Sequence, residues 1–364
     1  ELDLVCAHLS SRPQVVQYHW GGGTPTYFSP AQLNRLHDAV RKHFDIAAGA
    51  EVAVEVDPRV TTRAHIDALV GMGFNRMSMG VQDFDTVVQE AIGRGQDETS
   101  TRELFDYCRT LPIESINLDL IYGLPAQNLK SFAATLETVT VLRPDRVALY
   151  SYAHVPWIKG HQKKIDTDLL PGRNDKLEMF LSAIDAFDAA GYDYIGFDHF
   201  ALPGDELSRA LSEHRLHRNF MGYTVHRAPT ALGLGISAIG DCGGAFFQNA
   251  KKLSAYYRAL DAGRMPVEKG YELSADDQVR RHVILALMCN LHLDTGAVEP
   301  AYDLDFADYF ALELDELKTG PAVDGLVSIR DAAIEVTPLG QLFLRNVCMI
   351  FDRYLREKPL KKPT

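Results

Sequence analysis

The chain has 364 residues, of which 46% are apolar and 24% are charged, and its formal net charge is −12. This composition is typical of a globular protein with a sizeable hydrophobic core, and the length predicts about two to three domains. The acidic balance argues against a general nucleic-acid binder, which needs clustered Lys and Arg for phosphates. No apolar run is long enough to cross a bilayer, so we expect a cytoplasmic protein with no membrane partner.

From residue 14 to about residue 155, a short strand followed by a helical stretch repeats along the chain. The predicted strands are 14–20, 51–56, 76–82, 116–123 and 146–154. The helical segments between them are 31–43, 62–71, 99–109 and 128–141. This spacing predicts successive βα units, with parallel strands joined by right-handed crossovers.

Several of these strands alternate between an apolar and a polar face. The polar faces carry Gln17, His19, Glu51, Glu55, Ser78, Gln82, Asn117 and Asp119. Strands of a parallel sheet that is buried on both faces normally form continuous apolar runs, and a filled barrel interior is mostly aliphatic. The persistent polar face therefore predicts an open or partial α/β barrel whose lumen holds a polar ligand.

The rest of the chain is less regular. A helix over 175–190 and a strand over 193–199 complete the barrel region, and a hairpin over 326–337 precedes a final helix. The predicted segments are a barrel over 1–205, covering loops and linker over 206–250, and a mostly helical domain over 251–364. A winged-helix outline suits the last segment, but the acidic charge favours a structural or substrate-covering role over DNA binding.

In parallel βα architectures the ligand site lies at the carboxyl ends of the strands. The polar residues at these predicted ends are Gly21 to Thr24, Glu55, Asp57, Gln82, Asp83, Asp119, Tyr152 and His154. Because five strands contribute residues, the pattern predicts a single site at the end of the barrel where the carboxyl ends of the strands meet, which we call the mouth.

The run Gly21-Gly22-Gly23 follows the first of these strands. It lacks the patterns GxxxxGK[ST] and GxGxxG, so a phosphate loop is not indicated. A tight turn explains one or two glycines, whereas three in a row indicate close approach of a ligand or another backbone. The nearby carboxylates suit amino groups, ribose hydroxyls or a cation. Two alternatives for Glu55 and Asp57 are a structural pair neutralised by Arg59 or Arg76, and a glycosidase-type acid pair.

The five cysteines are scattered and form no CxxC pair, which is typical of reduced cytosolic thiols and predicts no metal site. They are Cys6, Cys108, Cys242, Cys289 and Cys348.

Long linked motifs resemble a known enzyme family. They are "HWGGGTPTYF", "EVAVEVDPR", "FNRMSMGVQDFD", "NLDLIYGLP", "YSYAHVPWIKGHQKKI", "YIGFDHFALPGDEL", "LHRNFMGYT" and "GLGISAIGD". Together they resemble the oxygen-independent coproporphyrinogen III oxidases (dehydrogenases) of the radical S-adenosylmethionine family, over essentially the whole chain. The resemblance implies a partial (β/α)6 barrel with a mostly α-helical C-terminal domain.

The resemblance also implies a reaction. In the family, a 4Fe–4S cluster cleaves S-adenosylmethionine reductively to a deoxyadenosyl radical. This radical takes a hydrogen from a propionate of coproporphyrinogen III, which then loses CO2 and leaves a vinyl group. Two such decarboxylations give protoporphyrinogen IX in haem biosynthesis without oxygen. The implied partners are this substrate and an unidentified electron donor, and we expect a monomer.

The resemblance implies two S-adenosylmethionine molecules in the site. The first would contact Gly22, Glu55 and Ile239. The second would contact Gly23, Thr24, Gln82, Arg94, Asp119 and Ala153. Arg94, Ala153 and Ile239 rest on the resemblance alone, and no catalytic residue or metal ligand is assigned.

One departure concerns the cluster. In the family it is held by Cys-x3-Cys-x2-Cys after the first barrel strand, which should precede "QVVQYHW". This chain begins at Glu1 and has no such motif, and Cys6 has no partner at that spacing. The expectation is an N-terminally incomplete chain that lacks the first strand and cluster loop and is inactive as given.

A substrate with four carboxylates needs local cations. The candidates are Lys159, Lys163, Lys164, His217 and Arg218, although a solvated basic face explains them equally well. Two rival functions share the barrel: a haem chaperone of the same family, and a degenerate barrel that binds S-adenosylmethionine without chemistry.

Overall fold

The computed structural model describes residues 1–357 apart from the side chain of His161, so residues 358–364 of the predicted third segment lie outside it. The chain forms two compact units. The first comprises residues 2–194 and 198–205, and the second contains residues 1, 195–197 and, of the described residues, 206–357.

The first unit is built on a curled half-barrel sheet of seven strands. The strands are β1 (Gln14–Trp20), β2 (Asp45–Val56), β3 (Arg76–Gln82), β4 (Ser115–Tyr122), β5 (Arg146–Ser151), β6 (Asp193–Gly196) and β7 (His199–Ala201). Their order is β1-β2-β3-β4-β5-β7-β6, and the pairs from β1 to β5 are parallel. The predicted partial α/β barrel is confirmed.

Helices alternate with these strands. They are α1 (Leu2–Cys6), α2 (Pro30–His43), α3 (Arg63–Gly71), α4 (Thr86–Ala91), α5 (Glu98–Arg109), α6 (Leu129–Leu142) and α7 (Arg173–Ala189). Local sequence explains where they begin: Ser29 caps α2 reciprocally with Gln32, and Pro30 occupies the first helical position. Asn128 caps α6 in the same way. Short 3-10 turns span Pro25–Tyr27, Gly160–Lys164 and Thr167–Leu169.

The predicted alternation of the strands is also found. In β3, Met77, Met79 and Val81 are fully buried, whereas the residues between them remain partly accessible. Strand β4 repeats this pattern, with Asn117 and Asp119 on its polar face. Burial of the apolar face beneath the helices stabilises the sheet, at roughly 25 cal/mol per Å² of apolar surface removed from water.

One strand prediction was wrong. The segment 193–199 is not a single strand but two, β6 and β7, and β7 runs antiparallel to β5. The chain turns between them because Gly196 and Phe197 have φ angles of 140° and 49°. An alternating apolar pattern does not reveal such a turn, since Phe197 is a bulky residue that rarely adopts a positive φ.

The second unit is mixed, with a helical majority. Its helices are α8 (Glu206–Ser212), α9 (Leu253–Asp261), α10 (Ala275–Asn290), α11 (Thr295–Tyr302), α12 (Phe306–Tyr309), α13 (Ala311–Thr319), α14 (Pro338–Leu342), α15 (Leu344–Met349) and α16 (Arg353–Glu357). Its remaining strands are β8 (His217–Asn219), β9 (Gly222–Thr224), β10 (Ile239–Cys242), β11 (Ala245–Asn249), β12 (Val267–Glu272), β13 (His292–Asp294), β14 (Val327–Arg330) and β15 (Ala333–Val336).

The stretch 206–250, predicted as covering loops and linker, contains helix α8 and the four short strands β8 to β11. Strands of three to five residues are too short to show a period in the sequence. The hairpin predicted over 326–337 is present as the antiparallel pair β14 and β15, to which β13 adds a third strand. Val283, Leu287, Phe310 and Phe351 are fully buried in the core of this unit. Within residues 1–357, no helix combines the length and apolar character needed to cross a membrane.

Candidate functional site

The glycine loop after β1 packs against the end of β2. The backbone N–H of Gly22 donates a hydrogen bond to Oε2 of Glu55 at 3.1 Å. Gly22 has a φ of 81°, which favours glycine, and a side chain at Gly21 would clash with the side chains of Glu55 and His19. A side chain at Gly23 would meet nothing within 4 Å. Two of the three glycines therefore have a local reason, and the third leaves open space beside the loop.

Glu55 remains accessible at the edge of this loop. Its side chain is 41% exposed, and Nε2 of His19 lies 3.3 Å from its Oε1. The carboxylate thus holds the loop through one backbone N–H and keeps acceptor capacity for a further donor, because an ionised carboxylate has about four lone-pair positions. Thr24 follows the loop and precedes the 3-10 turn, and its side chain makes no capping hydrogen bond there.

Asp57, expected at the mouth, is instead neutralised within the protein. Arg59 donates to it from Nε at 3.0 Å and from Nη2 at 2.6 Å, and Arg94 lies 3.4 Å away. Burial raises the pKa of Asp57, but the hydrogen bonds from Arg59 outweigh it and hold the pKa below its usual range. Of the two alternatives given for the acid pair, the structural ion pair is the one found for Asp57, with Arg59 as its partner. Arg76 instead forms an ion pair with Glu114.

Asp119 lies on the polar face of β4, next to β3. It accepts hydrogen bonds from Ser78 Oγ at 3.1 Å and from Asn117 Nδ2 at 2.7 Å. Ser78 is also the residue of β3 that pairs in register with Glu55 of β2. Burial raises the pKa of Asp119 to about 6, and the charge of Glu55 adds to the rise. Glu55 and Asp119 therefore belong to one polar strip across three strands.

Arg94 and Gln82 extend this strip at the end of β3. Nη2 of Arg94 donates to the carbonyl oxygen of Gly80 at 2.5 Å, and its Nε donates to Gln96 at 3.1 Å. A Cβ at Gly80 would lie 3.0 Å from Nε2 of Gln82 and 3.3 Å from Nη2 of Arg94. Gln82 has a φ of 71°, an uncommon conformation that concentrates at functional sites. Burial lowers the pKa of Arg94, while the charge of Asp57 opposes that effect.

Asp83 does not belong to the mouth, contrary to the prediction. It is fully buried and accepts hydrogen bonds from Asp85 N, Gln127 Nε2 and Thr135 Oγ1 at 2.7, 2.5 and 2.7 Å. Burial raises its pKa, and these three donors oppose the rise. Asp83 joins the end of β3 to α6 and has no accessible acceptor for a ligand.

The segment after β5 is held through its backbone. Nε2 of Gln162 donates to the carbonyl oxygen of Ala153 at 3.1 Å, and Nζ of Lys176 donates to that of Tyr152 at 2.8 Å. The hydroxyl of Tyr152 and Nδ1 of His154 are buried, and neither finds a hydrogen-bond partner in the part of the chain that the structure describes. Ile239 belongs to the second unit, where it begins β10 and is 38% exposed.

The basic residues predicted to face substrate carboxylates lie in different units. Lys159, Lys163 and Lys164 are exposed in the first unit, beside Trp157 and Ile158, which are 69% and 70% exposed. This is a solvated basic surface. His217 and Arg218 are half-buried in β8 of the second unit.

Sequence reasoning placed Ser78, Asn117 and His19 on the polar faces but gave them no role. In the structure they position carboxylates: Ser78 and Asn117 hold Asp119, and His19 contacts Glu55. Their signal was the shared face, since a residue two positions away on a strand, or opposite on its neighbour, lies beside the site residue.

Comparison with known proteins identifies the family. The chain is 46% identical to the oxygen-independent coproporphyrinogen III oxidase of Salmonella typhimurium over 352 residues, which is 97% of this chain and 77% of the relative. The Escherichia coli enzyme gives the same identity and coverage. The chain belongs to the oxygen-independent coproporphyrinogen III oxidase family. The Helicobacter pylori member is 44% identical over 98% of this chain and 78% of its own length.

Domain and structural comparisons agree with this family. The Radical SAM superfamily matches residues 3–139, and the HemN C-terminal domain matches residues 273–343. The solved structure of HemN from Escherichia coli, described as a radical SAM enzyme, superposes with a TM-score of 0.92 at 46% identity. The alignment covers 94% of this chain and 79% of that one.

The family implies S-adenosylmethionine and a 4Fe–4S cluster, and the described residues fit only the first. The exposed carboxylate of Glu55, the open space at Gly23 and the polar strip suit a cationic, hydroxyl-bearing cofactor. In contrast, no group of three His, Cys, Asp or Glu among the described side chains could hold a metal. Burial raises the pKa of Cys108, Cys289 and Cys348 to about 12, which opposes thiolate ligation.

Proposed function

We propose that this chain binds S-adenosylmethionine along the polar strip of its first unit and also binds coproporphyrinogen III. The reaction proposed for a protein that also holds the 4Fe–4S cluster, for which the described residues provide no ligand set, is oxidative decarboxylation of two propionates to vinyl groups, which gives protoporphyrinogen IX. The observation that carries the proposal is the Gly22–Glu55 hydrogen bond, because it fixes the glycine loop beside a carboxylate that is still open to a ligand. The names of the relatives support the substrate.

The residues proposed for two cofactor molecules follow the strip. The first would be held by Gly22, Glu55 and Ile239, and the second by Gly23, Thr24, Gln82, Arg94, Asp119 and Ala153. When bound in this family, the cofactor supplies a carbon radical that removes a hydrogen atom from the substrate. The chain's own residues bind and orient it: backbone N–H groups and Gln82 offer hydrogen bonds, while carboxylates face its positive groups.

Charge supports this assignment. S-adenosylmethionine carries a sulfonium and an ammonium group, and both favour ionised carboxylates nearby. Glu55 and Asp119 supply two such groups, and the guanidinium of Arg94 can offset the carboxylate of the cofactor. Asp57 holds Arg94 in place, since it lies 3.4 Å from Nη2. The proposal also includes an unidentified one-electron donor, a monomeric state and a cytoplasmic location, with no nucleic-acid or membrane partner.

Calorimetric titration of S-adenosylmethionine into the chain tests the cofactor site. We expect E55Q to weaken binding about ten- to hundredfold, because a hydrogen bond to a charged group is worth about 1.5–3 kcal/mol. E137Q is the matched control, since Glu137 is exposed on α6. Equal affinity of the wild type and E55Q would contradict the cofactor site.

A second titration addresses the substrate. Anaerobic coproporphyrinogen III should bind to the wild type and to E55Q, because Glu55 is proposed to bind cofactor and not porphyrinogen. Tight stoichiometric binding of haem, with no binding of the porphyrinogen, would instead favour the haem-chaperone function.

A further inference from the structure

Two guanidinium groups lie over the ring of Phe197 in the second unit. The guanidinium carbon of Arg218 lies 5.4 Å from its centroid, and that of Arg345 lies 5.2 Å away. Arg218 also lies over the ring of Tyr223, at 4.6 Å. Phe197 has a φ of 49°, a costly conformation for an aromatic residue that persists where the surroundings fix it. Aromatic rings thus hold these two cations in place.

Neither of these guanidinium groups has an anionic partner. Arg218 and Arg345 make no ion pair or hydrogen bond with any residue of the described chain, and Nη1 of Arg218 is buried without a partner. Other arginines of the same unit are paired with carboxylates: Arg215, Arg280, Arg281, Arg353 and Arg356. Arg218 differs from these paired arginines because its Nη1 is buried without a partner, in a chain whose net charge is −12.

A guanidinium without a counterion favours an anionic ligand. Removing a cation from water is costly unless it is paired, and ring faces compensate only part of that cost. A guanidinium that stacks on rings can still donate two parallel N–H bonds in its own plane, the geometry that matches a carboxylate. The surrounding potential is positive: burial lowers the pKa of the neighbouring His217, and the charges of Arg227 and Arg215 lower it further.

We propose that Arg218, assisted by Arg345 on the same Phe197 ring, binds a carboxylate of the porphyrinogen substrate. This inference rests on the proposed function, which supplies a ligand with four propionates. Arg218 provides the desolvated contact, whereas Arg345 is exposed and contributes a weaker, screened attraction. S-adenosylmethionine also has a carboxylate, so a test must distinguish the two sources.

The test measures binding of coproporphyrin III, an air-stable tetracarboxylate, by fluorescence titration. The variants are R218M and R345M. The matched control is R63M, because Arg63 is exposed and lies over the ring of Tyr107 at 4.8 Å, in the first unit. We expect R218M to bind about ten- to hundredfold more weakly, R345M to show a smaller loss, and R63M to bind like the wild type. The Tm of R218M should change little, since the half-buried guanidinium has no ion pair to lose and a methionine side chain can still pack on the rings.

The outcomes separate the two proposals. If the wild type does not bind coproporphyrin III, the proposed function fails and this inference fails with it. If the wild type binds but R218M binds equally well, only this inference is overturned. A fall in the Tm of R218M, with binding lost only in proportion to unfolding, would assign Arg218 a structural role and also overturn it. Weaker binding of S-adenosylmethionine by R218M, with coproporphyrin III unaffected, would assign the carboxylate to the cofactor and refute the substrate contact.

Discussion

Glu55 and Asp83 lie at the ends of neighbouring strands in the first unit, and their surroundings differ sharply. Asp83 is fully buried and accepts hydrogen bonds from three donors. Glu55 is 41% exposed, holds one backbone N–H and lies beside His19. Residue type and strand position are similar, so what separates a structural carboxylate from a ligand-binding one is how many of its acceptor positions the fold already uses.

Replacing Asp83 tests the structural side of this comparison and should have the largest effect. D83A leaves the donors of Asp85, Gln127 and Thr135 buried without their acceptor. We expect the free energy of unfolding to fall by about 3–4 kcal/mol, measured by urea denaturation. The control is D106A, because Asp106 is exposed on α5. An unchanged urea midpoint for D83A would show that the network is not stabilising.

Asp119 should have a smaller effect than Asp83, visible in how the free energy of unfolding depends on pH. Its folded pKa of about 6 exceeds the unfolded value of about 3.9, so the native state retains a proton that the unfolded state has lost between these values. The contribution of Asp119 to stability therefore decreases as pH rises from 4 to 6 and stays low above 6. D119N removes this dependence, and near pH 7 it should gain about 1–3 kcal/mol relative to its difference from wild type at pH 4.

Urea unfolding of both proteins at several pH values between 4 and 7 measures this difference. Other titrating groups are common to the two proteins, so only the difference between them is informative. A constant difference across that range would contradict a raised pKa at Asp119.

Gly22 links the glycine loop to the ligand-binding carboxylate. G22A places a side chain at a φ of 81°, and we expect a loss of about 1–2 kcal/mol in unfolding free energy. S-adenosylmethionine binding should weaken as well, because the hydrogen bond to Glu55 is disturbed. G71A is the control, since a side chain there meets nothing within 4 Å and no positive φ is required. Equal stability of G22A and wild type would argue against this strain.

Tyr152 should give the smallest effect. Its hydroxyl is buried and has no hydrogen-bond partner among the described groups, so Y152F removes an uncompensated polar atom. We expect stability to change by less than about 0.5 kcal/mol, or to rise slightly. A loss above 1 kcal/mol, as found on comparing thermal melts with those of Y257F, would reveal a partner for the hydroxyl. Tyr257 is a suitable control because it is 55% exposed.

Much of the first unit was predictable, because parallel strands encode their two faces in a period of two. That period placed Ser78, Asn117 and Asp119 on one face, where the structure has them. It also gathered the strand ends at one edge. The resemblance supplied Arg94, which lies in no strand, and the structure brings its Nη2 within hydrogen-bond reach of Gly80.

The same reasoning failed where the partner is distant in sequence. Thr135, which satisfies Asp83, is 52 residues further along the chain, so a strand pattern could not separate Asp83 from the mouth residues. The partner of Asp57 was left open between Arg59 and Arg76, because a strand pattern does not show which cation reaches the carboxylate, and the structure gives Arg59. The positive φ of Gln82 and Phe197 has no sequence signature, since neither residue is glycine or asparagine.

The burial of the thiols has a consequence for reactivity. Alkylating reagents and peroxides attack the thiolate, so a buried Cys with a raised pKa reacts slowly at neutral pH. Cys108, Cys289 and Cys348 fall in this class, while Cys6 and Cys242 are partly accessible. Labelling at neutral pH should therefore modify the latter two first. In a family named for chemistry independent of oxygen, this chain keeps three of its five thiols shielded from oxidants by burial alone.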